Sequence, residues 1–377
     1  MSNSIEKDIQ DASTDAMWQS TAARVLTLLL LLYGFLVSIG MLGKAFKMFS
    51  GGFVGGLIQS ASDPLVGLFV GILATTLVQS SSTTTSLVVA MVGSGSMPID
   101  TAIPIVMGAN IGTSVTNTLV SLGHIGRGRE FERAFAASTV HDFFNILSVV
   151  FLFPLQISSN FLGRLSTALA QIFQEVGGLT FSSPLKLLTG PAVNAAASVF
   201  EDHPWLLLLV ALAIMFASLR YLVVVLKSIV LGRVEVFFDQ TLFANAGRAM
   251  LFGLVITVFV QSSSITTSLA VPLAGAGILT LAQIFPYTLG ANIGTTITAI
   301  LAALAVGELS AVTVAFAHLL FNVCGIAVIW PLPAIRKIPL GLAEGFSSLA
   351  ASHRWIAVAY ILVCFYTVPF VAVLLLR

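Results

Sequence analysis

The chain has 377 residues, of which 57% are apolar and only 9% are charged, and its mean hydropathy is +1.01. Soluble domains carry about 25% charged residues, so this composition argues against a soluble enzyme, and it excludes a disordered chain. The formal net charge of +1 gives no basic surface for a nucleic acid, and the composition predicts an integral membrane protein with several spans.

Residues 1–24 are polar and mixed in charge, which predicts a cytoplasmic N-terminal tail without a cleavable signal peptide. Apolar stretches of about 20 residues then predict membrane helices. We expect seven of them, over 25–43, 99–122, 131–153, 205–226, 280–303, 311–331 and 355–376. Two further apolar stretches, 65–92 and 249–276, are interrupted at their centres by runs of hydroxyl side chains.

The sequence also contains an internal repeat with an offset of 182 residues. The stretch QSSSTTTSL, 79–87, returns as QSSSITTSL at 261–269, and GANIGT at 108–113 returns at 290–295. The segment 141–145 (HDFFN) is matched further on by HLLFN at an offset of 177. Internal repeats in a membrane protein are typical of transporters whose binding site lies at the repeat interface.

The repeat predicts the domain organisation. We expect a tail at 1–24, a first repeat at 25–155, an inter-repeat loop with one amphipathic helix at 156–203, a second repeat at 204–332, and a C-terminal segment with one membrane helix at 333–377.

The positions of basic residues indicate the topology, because Lys and Arg near span ends favour the cytoplasm. If the two interrupted stretches are re-entrant hairpins that do not cross, three basic groups fall inside: Arg127, Arg129 and Arg133; Lys227, Arg233 and Arg248; Arg336 and Lys337. Lys44 and Lys47 then fall outside. Each half has three crossings in this topology, so the second half is inverted. The predicted fold is an all-α integral membrane protein with two inverted repeats, each with a re-entrant helical hairpin and a broken transmembrane helix.

The hydroxyl and amide groups of the repeated motifs lie in segments almost without charge. No Asp, Glu, Lys or Arg occurs between Arg248 and Glu308. Polar groups left unpaired in hydrocarbon cost several kcal/mol each, so these runs must face protein or a ligand. Hydroxyl and amide oxygens suit Na⁺, and serines with helix N-terminal amides suit an oxyanion.

The repeated GANIGT segment follows Pro104 or Pro286, and we interpret it as a point where a membrane helix unwinds. Close helix packing is the alternative explanation for its glycines. His141 and His318 are interpreted as capping or interfacial residues. Asp142 would cost about 2.5–3.5 kcal/mol if it faced lipid, so we expect it to be paired inside, with His141 or a cation.

The doubled Gln-Ser-Ser-Ser motif and the GANIGT segments resemble the type II sodium-dependent phosphate cotransporters, over about 60–153 and 248–330. The resemblance implies a Na⁺-coupled symporter for inorganic phosphate, chiefly HPO₄²⁻, with Na⁺ as co-transported ion and no organic cofactor. The short tails and the lack of cysteines between the halves resemble a bacterial member, which implies the bacterial inner membrane. The oligomeric state stays open.

The resemblance assigns roles to the repeated motifs. The implied phosphate-binding residues are Gln79, Ser80, Ser81, Ser82, Gln261, Ser262, Ser263 and Ser264. The Na⁺ candidates are Thr83, Asn110, Thr113, Thr266, Asn292 and Thr295.

Three other functions are weaker interpretations of the same residues. A Na⁺-coupled carrier of another small anion, such as a dicarboxylate, usually needs an Arg for the carboxylates, and none occurs within 249–307. An intramembrane serine protease lacks a Gly-x-Ser-x-Gly elbow. Nothing in the pattern indicates the continuous polar pore of a channel.

Overall fold

A computed structural model of the chain describes residues 21–49, 63–177, 182–237 and 243–376. Side chains are described for all of these except 21–22, 182–186 and 226–237. Every regular element among the described residues is helical. The predicted tail therefore lies outside the described residues, apart from its last four positions.

The helices are numbered in chain order. They are α1 Thr21–Met48, α2 Pro64–Val78, α3 Ser81–Gly93, α4 Ile99–Thr113, α5 Val115–Ser121, α6 Arg129–Ser159, α7 Phe161–Glu175, α8 Ser182–Val199, α9 Pro204–Phe237, α10 Ala246–Val260, α11 Ser263–Gly275, α12 Leu281–Val306, α13 Leu309–Ile329, α14 Pro333–Ser352 and α15 Trp355–Leu375. A short 3₁₀ turn, Leu122–His124, follows α5, and the centre of α15, Ile361–Thr367, is π-helical.

Six of the seven predicted membrane helices are confirmed as described helices that are long and apolar enough to cross a bilayer: α1, α6, α9 up to Val225, α12, α13 and α15. The seventh, 99–122, is not one continuous span, because the chain breaks at Ser114 between α4 and α5. The inter-repeat segment also differs from the expectation. It contains two helices, α7 and α8, instead of one.

The sequence repeat is also a repeat of helices. Helices α2 and α3 recur as α10 and α11 with both ends displaced by 182 residues, and α12 begins 182 residues after α4. Even the N-caps match, since Asp63 accepts from the amide of Leu65 at 2.7 Å and Asn245 from that of Gly247 at 2.9 Å. Each repeat is thus a structural unit of two short helices followed by a third helix, which has 15 residues in the first half and 26 in the second.

The GANIGT segments are helical, which corrects the predicted unwinding at these motifs. In the first half the helix is interrupted only after the motif, at Ser114, and in the second half α12 runs uninterrupted through Gly290–Thr295. The prediction of a broken membrane helix in each repeat is therefore wrong for the second repeat.

The motif glycines instead allow two helix pairs to pack with their backbones in contact. A Cβ on Gly108 of α4 would strike the carbonyl oxygen of Leu68 in α2, and a Cβ on Gly290 of α12 would strike that of Met250 in α10. Small residues permit such close helix contacts in membrane proteins. Close helix packing, the alternative explanation for these glycines, is therefore confirmed.

Gly290→Ala is expected to destabilise the protein by at least about 2 kcal/mol, because the new Cβ meets the Met250 backbone, which cannot rotate away. The measurement is thermal unfolding of the detergent-purified protein. The matched control is Gly345→Ala in α14, where an added Cβ meets nothing within 4 Å and removal of a helical glycine stabilises by up to about 1 kcal/mol. Equal shifts for both variants would contradict the packing argument.

Candidate functional site

Each Gln-Ser pair of the repeated motif forms a sharp break between two short helices. Gln79 has φ 59° and ψ 24°, and Gln261 has φ 55° and ψ 23°, so both lie in the left-handed region. The following serines, Ser80 and Ser262, are extended and cap the next helix. A left-handed backbone conformation costs about 1–2 kcal/mol for a residue with a Cβ. Because the same unfavourable conformation occurs at equivalent positions of both halves, interactions around each glutamine must stabilise it.

The glutamine side chains hold both breaks in the same way. Gln79 Nε2 donates to the carbonyl of Thr76 at 2.6 Å, and its Oε1 accepts from the hydroxyl of Thr116 at 2.9 Å. Gln261 Oε1 accepts from the hydroxyl of Thr298 at 2.7 Å. Its Nε2 donates to the carbonyl of Val258. Each break is therefore tied both to the end of its own helix and to a later helix of the same half.

The two breaks lie beside each other, although 182 residues separate them in sequence. Ser82 Oγ lies 3.4 Å from the carbonyl oxygen of Gln261 and 3.5 Å from the hydroxyl of Thr298. Ser264 Oγ lies 3.3 Å from the carbonyl oxygen of Thr113. Each half thus contributes a serine that contacts the other half.

A cavity of about 780 Å³ lies at this junction. Its polar wall consists of Gln79, Ser80, Ser82, Thr83, Thr116, Gln261, Ser262 and Ser264. Helices α3 and α11, each 13 residues long, begin at this wall. Ser80 and Ser262 cap the third amide of each helix, and the two amides before it have no partner within their own helix. The partial positive charge of a helix N-terminus and its free amides bind anions, so the cavity suits an oxyanion.

A second polar cluster lies behind the cavity and joins the two halves. Asn292 Nδ2 donates to Asn145 Oδ1 at 2.9 Å, and Asn322 Nδ2 donates to Asn110 Oδ1 at 3.2 Å. His141 Nε2 contacts Asn292 Oδ1 at 2.5 Å, and Asn117 Nδ2 lies 3.3 Å from His141 Nδ1. These partners place the imidazole proton on Nε2, since Asn117 donates to Nδ1.

The repeat is not symmetric in this cluster. His318 is the counterpart of His141, and neither of its ring nitrogens has a partner among the described residues. The carbonyl oxygen of the Asn322 side chain is also buried without a partner there. Both histidines are 1% exposed, so the expectation of capping or interfacial histidines is wrong, and both are core residues.

Asp142 is fully buried, as expected, but its partners are hydroxyl groups. Its Oδ2 accepts from Tyr360 at 3.0 Å and from Thr118 at 3.3 Å. Its Oδ1 has no partner among the described residues, and Asp142 forms no salt bridge with any of them. The predicted pairing with His141 is not found, since the imidazole is turned toward Asn117 and Asn292.

The structure brings together only part of the predicted site. Seven predicted residues line the cavity: Gln79, Ser80, Ser82, Thr83, Gln261, Ser262 and Ser264. The other predicted residues are buried outside its wall: Ser81, Ser263, Asn110, Thr113, Thr266, Asn292 and Thr295. Of these, Thr113 and Thr295 donate within their own helices, to the carbonyls of Ala109 and Ala291.

Thr116 and Arg220 are polar cavity residues that the predicted site did not include. Arg220 lies on α9, outside the repeated motifs, and is the only charged residue among the described residues that line the cavity. A signal was present in the sequence, because ionisable residues within an apolar span mark functional sites, and Arg220 lies within the predicted span 205–226.

Comparison with known proteins matches the sequence of this chain to one family. The family described as Na⁺/Pi-cotransporter matches residues 34–183 and 207–342. The sodium-dependent phosphate transport protein 2A of sheep (Ovis aries) is 35% identical over 93% of this chain and 67% of its own length. The human sodium-dependent phosphate transport protein 2B is 32% identical over 92% of this chain and 64% of its own length. No solved structure shows a significant match.

The chain therefore spans about two thirds of the length of these relatives. Both matched segments contain one Gln-Ser-Ser-Ser break and one GANIGT helix, so the match covers the motif residues that line the cavity. This chain belongs to the Na⁺/Pi-cotransporter family.

Proposed function

We propose that this chain is a secondary active symporter that couples Na⁺ entry to the uptake of inorganic phosphate, chiefly as HPO₄²⁻. One observation supports this most directly. In a member of the Na⁺/Pi-cotransporter family, two equivalent helix N-termini with serine and glutamine side chains open into a single cavity. A dianion with four acceptor oxygens matches that set of donors.

Phosphate is bound in this proposal by the Gln-Ser-Ser-Ser motifs of both halves. Ser80, Ser82, Ser262 and Ser264 offer hydroxyl groups toward the cavity. Ser81 and Ser263 are buried at 5% and 2% exposure, so their contribution is the backbone amide. The glutamines fix the helix breaks and are positioned to contact the substrate at the cavity wall.

Sodium ions complete the site in this proposal. The Na⁺ ligands come from the hydroxyl and amide oxygens near the cavity: Thr83, Asn110, Thr113, Thr266, Asn292 and Thr295. Since these groups are neutral, bound Na⁺ compensates the charge of the phosphate, and either ion alone leaves charge unpaired in a poorly hydrated site. This mutual compensation is the physical reason for coupling.

Asp142 extends the set of Na⁺ ligands. A buried carboxylate with one unpaired oxygen is costly unless it is protonated or pairs with a cation. The hydroxyls of Thr118 and Tyr360 both donate to Oδ2, and Oδ1 has no partner among the described residues. We include Asp142 Oδ1 as a Na⁺ ligand on this ground.

Asp142→Asn is expected to raise the Na⁺ concentration for half-maximal phosphate uptake about tenfold, because the loss of a charged ligand costs about 1.5–3 kcal/mol. At saturating Na⁺ the half-saturation for phosphate changes little. Tyr360→Phe is the control, since it removes one hydrogen bond to Oδ2 and leaves the charge. An unchanged Na⁺ concentration for half-maximal uptake in Asp142→Asn would show that Asp142 is not a Na⁺ ligand.

Transport proceeds by alternating access in this proposal, with the two halves as inverted repeats and α2–α3 and α10–α11 as re-entrant hairpins. An elevator-like motion moves the paired hairpins against the outer helices. The chain acts as a transporter without enzymatic activity, in the inner membrane of a bacterium. The basic residues at 127–133 and 336–337 support this topology by the positive-inside rule.

Competition during uptake tests the substrate. Labelled phosphate uptake into proteoliposomes with an inward Na⁺ gradient is expected to be suppressed by unlabelled phosphate and arsenate, and unaffected by succinate and malate. Suppression by the dicarboxylates, with their own Na⁺-driven uptake, would favour the alternative of a carrier for another small anion.

A further inference from the structure

The cavity has a second wall that the repeated motifs do not supply. Seven residues of α9 form it: Phe216, Ala217, Leu219, Arg220, Tyr221, Val223 and Val224. All but Arg220 are apolar or aromatic, and Arg220 is exposed. The guanidinium group is therefore the single positive charge on an otherwise apolar wall of the cavity that the serines and helix N-termini also line.

Arg220 lies within the part of α9 that is apolar enough to cross a membrane, Pro204–Val225. An arginine in such a segment is costly unless it faces a polar cavity, a partner or the headgroup region. Arg220 forms no salt bridge with any described residue, and no described Asp or Glu lines the cavity. The charge is thus available to an anion in the cavity.

The rest of the cavity favours the same ligand. The helix N-termini of α3 and α11 carry partial positive charge, and the serine hydroxyls donate. A guanidinium group adds a fork of N–H donors that matches two oxygens of a phosphate. The free oxyanion and a lipid headgroup share this chemistry, but only the free oxyanion also meets the hydroxyl-lined wall inside the cavity.

Helix α9 packs chiefly along α1, whereas the breaks are held by α4, α5 and α12. Arg220 therefore approaches the cavity from a different group of helices than the serines. We propose that Arg220 is the residue that draws phosphate into the cavity through its positive charge. This inference rests on the proposed phosphate symport and adds a substrate-attracting residue to it.

The test compares Arg220→Gln and Arg220→Met with the parent protein and with Arg164→Gln, an exposed arginine on α7 away from the cavity. Labelled phosphate uptake into proteoliposomes is measured at constant saturating Na⁺, with choline salts setting a low or a high ionic strength. Size-exclusion profiles of the purified variants check folding.

We expect the half-saturation for phosphate to rise about tenfold in both neutral Arg220 variants at low ionic strength. In the parent it should rise with ionic strength, since salt screens an exposed charge, and this dependence should be flattened in the variants. The Na⁺ half-saturation should change less than about twofold, and Arg164→Gln should behave like the parent.

Unchanged phosphate half-saturation in Arg220→Gln and Arg220→Met would overturn the inference and assign Arg220 to lipid headgroups. An equal rise in Arg164→Gln would also overturn it, because the effect would then belong to surface charge in general. If the parent itself shows no Na⁺-dependent phosphate uptake, the proposed function fails, and this inference fails with it.

Discussion

His141→Phe is expected to lower the stability of the purified protein by about 2–4 kcal/mol, whereas His318→Phe leaves it within about 1 kcal/mol of the parent. The two positions are a natural pair, because both histidines are 1% exposed and occupy matching places in the repeat. The steric change is therefore similar at both.

The difference arises from hydrogen bonds. His141 contacts Asn292 and Asn117, and Asn292 Oδ1 has no other partner among the described residues. Removal of the imidazole leaves this buried oxygen unpaired, which costs about 1–3 kcal/mol, in addition to the lost bonds. Neither nitrogen of His318 has a partner in the described part of the chain, so its replacement removes unpaired polar atoms.

Thermal unfolding of the detergent-purified variants measures the effect. The double variant should match His141→Phe, because the two rings share no hydrogen bond. Equal destabilisation by the two single variants would show that the asymmetry of the polar cluster has no energetic consequence.

Gln79→Ala and Gln261→Ala are each expected to reduce phosphate uptake at least tenfold without removing the protein from the membrane. Each glutamine makes two side-chain hydrogen bonds that hold the left-handed break, together worth about 1–3 kcal/mol. Their loss displaces the helix N-termini that face the cavity, and small displacements of binding groups lower rates strongly.

Initial rates of labelled phosphate uptake, normalised to the amount of protein in the vesicles, provide the measurement. Gln171→Ala on the exposed face of α7 is the control for loss of an amide away from the cavity. An uptake rate equal to that of the parent protein in either glutamine variant would show that transport does not depend on the hydrogen bonds that hold the helix breaks.

The sequence was sufficient to locate the breaks, because a repeated polar run inside apolar segments must be paired with protein or ligand. Gln79 and Gln261 lie at the two breaks, and their serines meet at one cavity. The sequence alone does not show which helix packs against each GANIGT segment. A glycine in GANIGT suits both an unwound turn and a close contact, and only the position of Met250 against Gly290 decides between them.

Tertiary pairing explains the other differences. His141 contacts Asn292 from the other half, and no spacing in the sequence indicates that pair. Arg220 lies outside the motifs and lines the same cavity, whereas no Lys or Arg occurs within 64–126 or 249–307.

The decisive measurement is labelled phosphate accumulation in proteoliposomes whose external Na⁺ is replaced by K⁺ at equal ionic strength. If Na⁺ supplies positive charge that the hydroxyl and amide groups of the paired breaks lack, accumulation against a concentration gradient should disappear in K⁺ and return when Na⁺ is restored. Equal accumulation in K⁺ and Na⁺ would contradict coupling and the role assigned to the paired breaks.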